Sequence, residues 1–423
     1  MNPRELLLGS FHAALAAADP LRIVPAHLPS PPRGKTVVVG AGKAAASMAL
    51  AVEQNWPHDS PLDGVVITRY GHGLPTKRVR VVEAGHPVPD EQGERAAAEI
   101  LALAGSLSED DLLLVLVSGG GSSLLSLPVE GVPMADLKAV TRSLLASGAP
   151  IQDMNTVRKH LSRIQGGRLA LATRARVHAL VISDVTGDDP THIASGPCVA
   201  DPTTFADAVE ILQRFAVTPP ASIAAHLAKG ARGDIEETPK PGDPRLERAV
   251  YSLMATAHGS LAHAADFFEA RGIPQMILGD TVTGESSEVA KVYAALAREV
   301  RGYGQPAYPP VALISGGETT VTLRGSGRGG RCTEFLLSLA VALDGLEGAW
   351  ALACDTDGID GSEDNAGAIL TPDALARARA AGLEPKKMLA NNDGYGFFST
   401  LGDLVVTGPT RTNVNDYRVI LVE

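Results

Sequence analysis

The sequence predicts an α/β protein in which helices pack on parallel sheets. Short runs of β-branched residues and Leu alternate with longer Ala-rich stretches of helical character, and this alternation is typical of parallel sheets flanked by helices. Aromatic residues make up only 4% of the sequence, so the cores must be aliphatic, which suits buried parallel strands. With 423 residues, the chain has the length of two domains of roughly 200 residues each.

Several segments have the composition of strands, and Ala-rich helical stretches such as residues 43–53 and 92–104 lie between some of them. The predicted strands are residues 36–39, 64–67, 112–117, 178–183, 311–314, 350–354, 404–407 and 418–422. Ligands bind beyond the carboxyl ends of the strands in open α/β sheets. The residues that follow each strand are therefore the candidates for chemistry.

A charged segment rich in Pro and Gly, residues 231–244, has no apolar face and predicts a boundary between two domains. We place the N-terminal domain at residues 1–240 and the C-terminal domain at residues 241–423. Each half contains a strand that runs into Ser-Gly-Gly, at residues 118–120 and 315–317. Nothing else nearby aligns, so we interpret this similarity as convergent turn chemistry and not as a duplication.

Charge and composition exclude several classes of partner. The net charge of −11 argues against a nucleic-acid partner, and no run reaches the roughly 20 apolar residues that span a bilayer. Glu5 and Asp19 count against a signal peptide. The cysteines Cys198, Cys332 and Cys354 match neither a disulfide framework nor a zinc site. We expect buried thiols and a cytoplasmic protein that binds neither nucleic acid nor a membrane.

The first candidate turn contains Gly40, Gly42 and Lys43 between a strand and an Ala-rich helix. Glycines let the backbone approach a ligand, and the helix start offers N–H groups to an anion. The spacing also fits a dinucleotide-binding GxGxxA motif, but the acidic residue expected after the second strand is missing, because Thr68 and Arg69 stand there. Lys43 suits a phosphate or carboxylate oxygen. A tight turn with a surface lysine is the alternative.

The second candidate turn has three consecutive glycines between serines, directly after a buried strand. Successive N–H groups in such a loop converge on a phosphate, and the hydroxyls add donors. It is not a Walker A loop, because no Gly-Lys-Ser/Thr closes it. A flexible turn is the alternative. The predicted nucleotide-binding residues are Ser118, Gly119, Gly120, Gly121, Ser122 and Ser123.

A basic stretch follows, residues 154–170, with helical character. We expect Asn155 to cap this helix and to share one face with Lys159 and Arg163, at i, i+4 and i+8. Arg158 and Lys159 could hold a carboxylate or phosphates, so Asn155 and Lys159 are predicted nucleotide-binding residues. A solvated basic face is the alternative.

Acidic residues follow the next strand. Asp184 and Asp188 are the carboxylates that a Mg²⁺–nucleotide complex requires beyond a strand end, although turn and cap formation would explain them too. In the C-terminal half, Glu318 follows a strand as a further candidate for nucleotide binding, and Arg331 lies among glycines. Such residues in both halves predict a cleft between the domains that handles a polyanion and a metal.

These motifs together resemble the class of glycerate 2-kinases with a C-terminal MOFRL domain, and the resemblance covers nearly the whole chain. The motifs that carry it read SGGGSS, NTVRKHLSRIQGGRLA, ISDVTGDDPTHIASGP, SGGETT, GGRCTEF, DTDGIDG and TGPTRTNVND in this sequence.

The resemblance implies ATP- and Mg²⁺-dependent phosphorylation of D-glycerate at its 2-hydroxyl, which gives 2-phosphoglycerate. It also implies a Rossmann-like N-terminal domain, a smaller α/β C-terminal domain and an active site in the cleft between them. The lysine of the family's GxGK turn falls on Lys43, and the arginine of its GGRNxE motif falls on Arg331. Both are expected near the transferring phosphoryl group as catalytic residues.

The sequence departs from the family pattern at two positions. Cys332 replaces the asparagine of GGRNxE, and Arg411 stands where TGPTGTN has glycine. Another short hydroxy acid therefore stays open as the acceptor. The alternative functions are an NAD(P)H-dependent hydroxypyruvate reductase and a non-catalytic sensor of nucleotides or sugar phosphates. The sequence does not decide the oligomeric state, and a homodimer stays open.

Overall fold

The computed structural model describes residues 2–423, and the chain divides into two compact units. The N-terminal unit consists of residues 20–254, and the C-terminal unit combines the segment up to Asp19 with residues 255–423. In chain order the helices are α1 (Pro3–Ala16), α2 (Pro20–Ile23), α3 (Ala45–Asn55), α4 (Glu91–Gly105), α5 (Gly121–Leu124), α6 (Met134–Ala146), α7 (Ile151–His160), α8 (Arg168–Leu171), α9 (Phe205–Arg214), α10 (Ala221–Ala231), α11 (Ala257–Glu269), α12 (Ser286–Tyr303), α13 (Arg331–Leu343), α14 (Ala374–Ala380), α15 (Pro385–Ala390) and α16 (Gly394–Leu401).

The N-terminal unit has a doubly wound sheet. Its strands are β1 (Thr36–Ala41), β2 (Leu62–Arg69), β3 (Val79–Ala84), β4 (Leu112–Val117), β5 (Arg176–Ile182) and β6 (Ala249–Ala255). Their order is β3-β2-β1-β4-β5-β6, and β1 to β5 all run parallel. This is the strand order of Rossmann-like domains, in which ligands bind where the order reverses, here between β1 and β4. The predicted α/β, Rossmann-like fold is confirmed.

The core of this unit is aliphatic, as expected. Val37 and Val39 of β1 and Val115 of β4 pack with Ile100 of α4 in a cluster whose buried members include no aromatic residue among the residues described. A second cluster forms around the buried ring of Phe205, where α6, α7, α9 and α10 meet. This second cluster fixes the position of α7, which carries the basic stretch.

The C-terminal unit has a mixed sheet. Its strands are β7 (Gln275–Val282), β8 (Val311–Gly317), β9 (Ala349–Asp355), β10 (Gly367–Leu370), β11 (Leu404–Val405) and β12 (Asp416–Val422), in the order β11-β10-β9-β12-β8-β7. Only β7 and β8 pair in parallel, and the other four pairings are antiparallel. The expectation of parallel sheets throughout is therefore wrong here. A loop without a helix joins β9 to β10, and a parallel pairing requires a longer crossover.

The structural units differ from the predicted domains in two respects. The chain leaves the N-terminal unit after Met254 and not near residue 240, because β6 lies beside β5 at the edge of the first sheet. In addition, α1 packs within the C-terminal unit, where Leu7 and Phe11 are fully buried. The rings of Phe11 and Tyr417 stack with centroids 6.0 Å apart.

All three cysteines are buried and unpaired, and burial raises the pKa of the Cys198 thiol to about 12. The expectation of buried thiols is confirmed. Among residues 2–423, no single helix has both the length and the hydropathy of a membrane span, and one bent pair of helices, Pro3–Ala16 with Pro20–His27, has them only when taken together.

Candidate functional site

The turns after β1 and β4 meet where the strand order reverses, and hydrogen bonds join them. The Lys43 N–H donates to the Gly119 carbonyl over 2.8 Å, and the Ala44 N–H donates to Ser118 Oγ over 3.0 Å. Both N–H groups stand at the start of α3, and both are already satisfied within the protein. The prediction that this helix start offers N–H groups to an anion is therefore wrong for these two residues.

Gly40 and Gly42 allow β1 to lie against β4. Both have φ near the limit of the glycine region, at 146° and 145°. A Cβ on Gly40 would lie 1.9 Å from the Leu116 carbonyl oxygen, and one on Gly42 would lie 2.1 Å from Ser118 Oγ. A side chain at either position would force the two turns apart. The structure thus gives both glycines a role in packing one turn on the other.

Gly120 brings residues from three turns together. It adopts φ of 81°, and a Cβ built on it would lie 2.8 Å from His86 Nε2 and 3.5 Å from Lys43 Cγ. Lys43 follows β1 and His86 follows β3, so the carboxyl ends of β1, β3 and β4 converge here. Sequence reasoning missed His86 because it missed β3, although a His directly after a strand is the signal that would have found it.

The turn between β4 and α5 is held from several sides. Ser195 Oγ donates to Ser122 Oγ over 2.9 Å, and Gln165 Nε2 donates to the Ser122 carbonyl over 2.8 Å. Ala194 and Ser195 have φ of 50° and 58°, which non-glycine residues adopt at a cost, and such strain is common at functional sites. A Cβ on Gly121 would lie 2.6 Å from the Ala194 Cβ. These contacts hold the turn in the shape that the structure shows.

Beside this turn lies a cavity of about 340 Å³, which Ser122, Ser123 and Arg158 help to line. Arg158 is half-buried, and burial lowers its pKa. Its guanidinium donates to Asn155 Oδ1 over 3.2 Å, and no carboxylate among the described residues pairs with it. Of the two basic residues considered together, Arg158 is the one that faces a ligand-sized space.

Lys159 lies instead in a buried ion pair. Its side chain is 1% exposed, and its Nζ lies 2.6 Å from Asp201 Oδ1. Burial alone would raise the pKa of Asp201, but the Lys159 ammonium and hydrogen bonds such as that from Thr203 lower it below the usual value. Because this ammonium group is buried and paired with Asp201, the structure does not place Lys159 among the ligand-binding groups.

Asn155 is not a helix cap. Helix α7 begins at Ile151, and the buried Asn155 side chain donates from inside it to the His192 carbonyl over 3.4 Å. The helix ends at His160, before Arg163. The expected face of three residues at i, i+4 and i+8 therefore does not exist.

Asp184 and Asp188 follow β5, on the same sheet edge as the turn after β4, because β4 and β5 run parallel. Both are half-buried. No group of three or more His, Cys, Asp or Glu side chains in the described chain is arranged to hold a metal ion. Kinase sites often bind Mg²⁺ with one or two carboxylates together with the phosphates of the substrate. The two carboxylates are therefore candidates for that mode, and the described residues form no all-protein metal cage of three or more such side chains.

In the C-terminal unit, Arg331 is surrounded by carboxylates. Its Nε lies 2.7 Å from Asp416 Oδ1, its Nη1 2.7 Å from Glu318 Oε1 and its Nη2 2.8 Å from Asp355 Oδ2. Burial alone would lower the pKa of Arg331, but these charges, that of Asp416 first, raise it. Three of its five N–H donors are thus used, and its side chain is 22% exposed. Glu318, predicted to bind nucleotide, lies in this ion-pair cluster.

The start of α13 is capped by Asp360. Its carboxylate accepts from the Cys332 N–H over 2.9 Å and from the Thr333 N–H over 2.8 Å. The helix start that carries Arg331 is therefore closed to a ligand anion at these two N–H groups. Cys332 is fully buried in the apolar core, beside residues such as Phe335. The residue that replaces the family's asparagine therefore lies in the apolar core of this chain.

The glycines before Arg331 fit closely against another segment of the unit. A Cβ on Gly325 would lie 2.3 Å from Asn391 Oδ1, and one on Gly327 would lie 2.5 Å from Asp393 Cβ. Asn392 Oδ1 accepts from the Arg324 N–H over 2.7 Å. These glycines therefore let two loops approach each other, as Gly42 does in the other unit.

Arg411, the second departure from the family pattern, has φ of 59°. This left-handed conformation costs an ordinary residue roughly 1–2 kcal/mol and costs glycine almost nothing. The structure thus explains why glycine suits the position, and Arg411 adopts this conformation in spite of its side chain.

Glu334, the glutamate of the GGRxxE pattern, is a buried carboxyl with a perturbed pKa. Burial raises the pKa of Glu334 to about 7, against the opposing hydrogen bond from Asn392. The Asn392 Nδ2 donates to Glu334 Oε1 over 3.2 Å. Glu334 therefore connects α13 to the loop that Asn392 holds, and it takes up a proton near neutral pH.

We expect Lys159→Met to lower the free energy of unfolding by about 3–5 kcal/mol, because Asp201 would stay buried without its partner. Urea unfolding would measure this loss, and Asp201→Asn in the same background should recover part of it. The KM for a nucleotide substrate should stay unchanged. A variant of normal stability that binds nucleotide weakly would instead support the nucleotide-binding role that the sequence suggests.

Glu334 predicts a pH-dependent stability. Its folded pKa is about 7, above the value near 4.3 of an unfolded chain, so its contribution is present below about pH 4 and is lost as the pH rises through 7. Glu334→Gln should match the wild type near pH 4 and exceed it by about 1–3 kcal/mol above pH 7 in chemical unfolding. The exposed Glu288→Gln serves as control. A difference that does not vary with pH would contradict the burial of a titrating carboxyl.

Comparison with known proteins places the chain in a family. Residues 6–228 match the family described as a domain of unknown function, DUF4147, and residues 311–416 match the MOFRL family. The chain is 51% identical to a protein of Agrobacterium vitis that carries a provisional hydroxypyruvate reductase name, over all of this chain and 95% of that protein.

Two further relatives are named as kinases. The chain is 38% identical to the glycerate 2-kinase of Pyrococcus horikoshii, over all of this chain and 98% of that protein. The crystal structure of a glycerate kinase from Thermotoga maritima matches with a TM-score of 0.88 and 37% identity, covering 99% of each chain. The full-length match, together with the two domain matches, shows that this chain belongs to the glycerate 2-kinase family with a MOFRL domain.

Proposed function

We propose that this protein transfers the γ-phosphoryl group of ATP to the 2-hydroxyl of D-glycerate and releases 2-phosphoglycerate and ADP. The observation that carries the proposal is the convergence of Lys43, His86 and Gly120 at the reversal point of a doubly wound sheet. Relatives named as glycerate kinases match over the full chain. A cationic side chain beside residues 118–123, which we call the Gly-Ser turn, suits the polyphosphate of a nucleotide.

The end of β2 does not favour the reductase alternative. A dinucleotide site places an acidic residue there to bind the ribose. Here the buried Thr68 donates from Oγ1 to the Lys43 carbonyl over 3.4 Å, and Arg69 ends the strand. Thr68 thus holds the turn after β1 in place. Neither Thr68 nor Arg69 offers a carboxylate to a ribose hydroxyl.

Phosphoryl transfer depends mainly on positioning and on charge placed against the oxygens of the moving group. Lys43 would supply a point charge, and Arg331 would supply its remaining N–H donors. Mg²⁺, which Asp184 and Asp188 would hold, neutralises phosphate charge when bound. That Lys43 and Arg331 serve one active site stays a prediction, as do the cytoplasmic location and the homodimer.

D-Glycerate is the simplest acceptor. The chain keeps Glu334, the glutamate of the GGRxxE motif. Cys332, which stands where the family motif has asparagine, lies in the core. The burial of Cys332 supports D-glycerate as the acceptor. Arg411, half-buried in the loop before β12, is the remaining difference.

The product assay tests the proposal. With D-glycerate, ATP and Mg²⁺, the product should be 2-phosphoglycerate, which enolase consumes without a mutase. A parallel reaction with hydroxypyruvate and NAD(P)H should show no oxidation of the nucleotide. Product that enolase consumes only after a mutase is added, or turnover of NAD(P)H, would sink the assignment.

Variants of Lys43 and Arg331 test their catalytic roles. Lys43→Ala should lower kcat by about 10²–10³ with a smaller change in KM, because such a donor acts mainly in the transition state. Arg331→Lys should lose a similar factor, since a lysine cannot reproduce three planar contacts. Lysine also keeps a cation among Asp355 and Asp416, so the fold should survive.

Two variants serve as matched controls. Lys35→Ala removes a lysine just before β1, at the opposite edge of the sheet, and Arg328→Ala removes an exposed arginine three residues before Arg331. Both should keep near-full kcat. A Lys43 or Arg331 variant that keeps its kcat and loses only affinity would show that the residue binds substrate without stabilising the transition state.

A further inference from the structure

A cavity of about 340 Å³ lies beside the Gly-Ser turn of the N-terminal unit, between that turn and helices α6 and α7. Ser122 and Ser123 of the turn and Arg158 of α7 all line it. The cavity is therefore continuous with the turn to which the proposed function assigns the phosphates. Small-molecule sites of this kind have volumes of roughly 300–1,000 Å³.

Apolar side chains form part of the walls of the cavity. Leu137 and Leu145 of α6 and Met154 of α7 contribute to them, together with Val88 and Ile151. Leu145, Val88 and Ile151 are 68%, 58% and 50% exposed. Large apolar side chains grouped around a cavity are usually covered by a ligand or a partner, and covering apolar surface favours binding.

The charge around the cavity has one sign. Lys138, Arg142 and Arg158 line it, and none of its described lining residues is Asp or Glu. The whole chain has a net charge of −11, so three cations with no carboxylate among the other lining residues are a local reversal. Such a site attracts a polyanion.

Among these three cations, Arg158 gives the strongest indication of an anionic ligand. It is half-buried, it donates to Asn155 Oδ1, and it has no carboxylate partner among the described residues. A half-buried guanidinium without a counter-ion is costly, and a bound phosphate would supply the missing charge. Arginine also matches phosphate oxygens with two donors at once.

Size and polarity together indicate a nucleotide. A short hydroxy acid has a carboxylate and hydroxyl groups but no apolar surface, so it would leave the walls formed by Leu137, Leu145 and Met154 uncovered. A purine nucleoside has a flat apolar ring that such walls cover, and its phosphates would extend towards Ser122 and Ser123.

We propose that this cavity binds the base and ribose of ATP, and that Arg158 contacts the phosphates that follow them. The proposal rests on the proposed function for the choice of ATP as ligand. It assigns a nucleoside subsite to helices α6 and α7, which the residues of the Gly-Ser turn alone do not indicate.

The test fills the cavity with a larger side chain and measures the binding of ligands that contain a nucleotide base and of ligands that do not. Thr141 of α6 lines the cavity, and Ser143 on the same helix is exposed and does not line it. Thr141→Trp should raise the Kd of a non-hydrolysable ATP analogue by about tenfold or more. It should leave the inhibition constant of inorganic tripolyphosphate and the KM for D-glycerate unchanged. Ser143→Trp is the matched control and should change none of these constants.

Arg158→Ala should weaken the ATP analogue and tripolyphosphate alike, because both carry the phosphates. A Thr141→Trp variant that binds the analogue like Ser143→Trp would overturn the proposal. Equal weakening of tripolyphosphate binding by Thr141→Trp would also overturn it, because it would assign the cavity to the phosphates. A Thr141→Trp variant that raises only the KM for D-glycerate would overturn it too, because it would assign the cavity to the acceptor.

A second measurement uses the wild-type protein and does not depend on how a variant folds. Photolysis with an azido-adenine analogue of ATP should label peptides from residues 134–162, and ATP should protect them. Label found only outside these residues would overturn the assignment. Binding of the analogue is measured without D-glycerate, so a protein that binds ATP here but phosphorylates another acceptor would contradict the proposed function and leave the nucleoside subsite intact.

Discussion

The hydrogen-bonded contact between the turns after β1 and β4 is the constraint on which the rest of the N-terminal site depends. The Lys43 N–H is bound to the Gly119 carbonyl, so the lysine backbone is fixed and its side chain is held beside Gly120. The contact requires glycine at position 42, because a Cβ there would lie 2.1 Å from Ser118 Oγ. Preorganised groups of this kind need not move when charge develops in a reaction.

In the C-terminal unit the main constraint is different: carboxylates fix the position of one cationic side chain, that of Arg331. Asp416 contacts both Arg331 and the buried Arg418, and Asp355 and Glu318 complete the surroundings of Arg331. A guanidinium with three carboxylates forms a cluster of net negative charge, which does not attract an anion at long range. Its contribution is directional, through the donors that the carboxylates leave unused.

The sequence predicts best where one residue type decides the structure. Both ends of β4 are predicted correctly, because a continuous apolar run has one interpretation, whereas β3 has polar and half-exposed positions and was missed. Arg158 and Lys159 are adjacent and chemically similar, and successive helix positions point about 100° apart. Which of them faces the cavity depends on Asp201, which lies far along the chain. Likewise, a glycine pattern does not tell whether the space is left for a ligand or, as at Gly42, for a neighbouring turn.

Helix α1 belongs to the core of the unit whose remaining residues begin at position 255. On the ribosome it emerges before residues 255–423, so at about 5–20 residues per second it waits roughly 20–80 s until all of them are made. During this time Leu7 and Phe11 expose the apolar surface that they later bury, while the N-terminal unit is free to fold. A chaperone that binds nascent apolar segments would find a target in α1 until residues 255–423 are made.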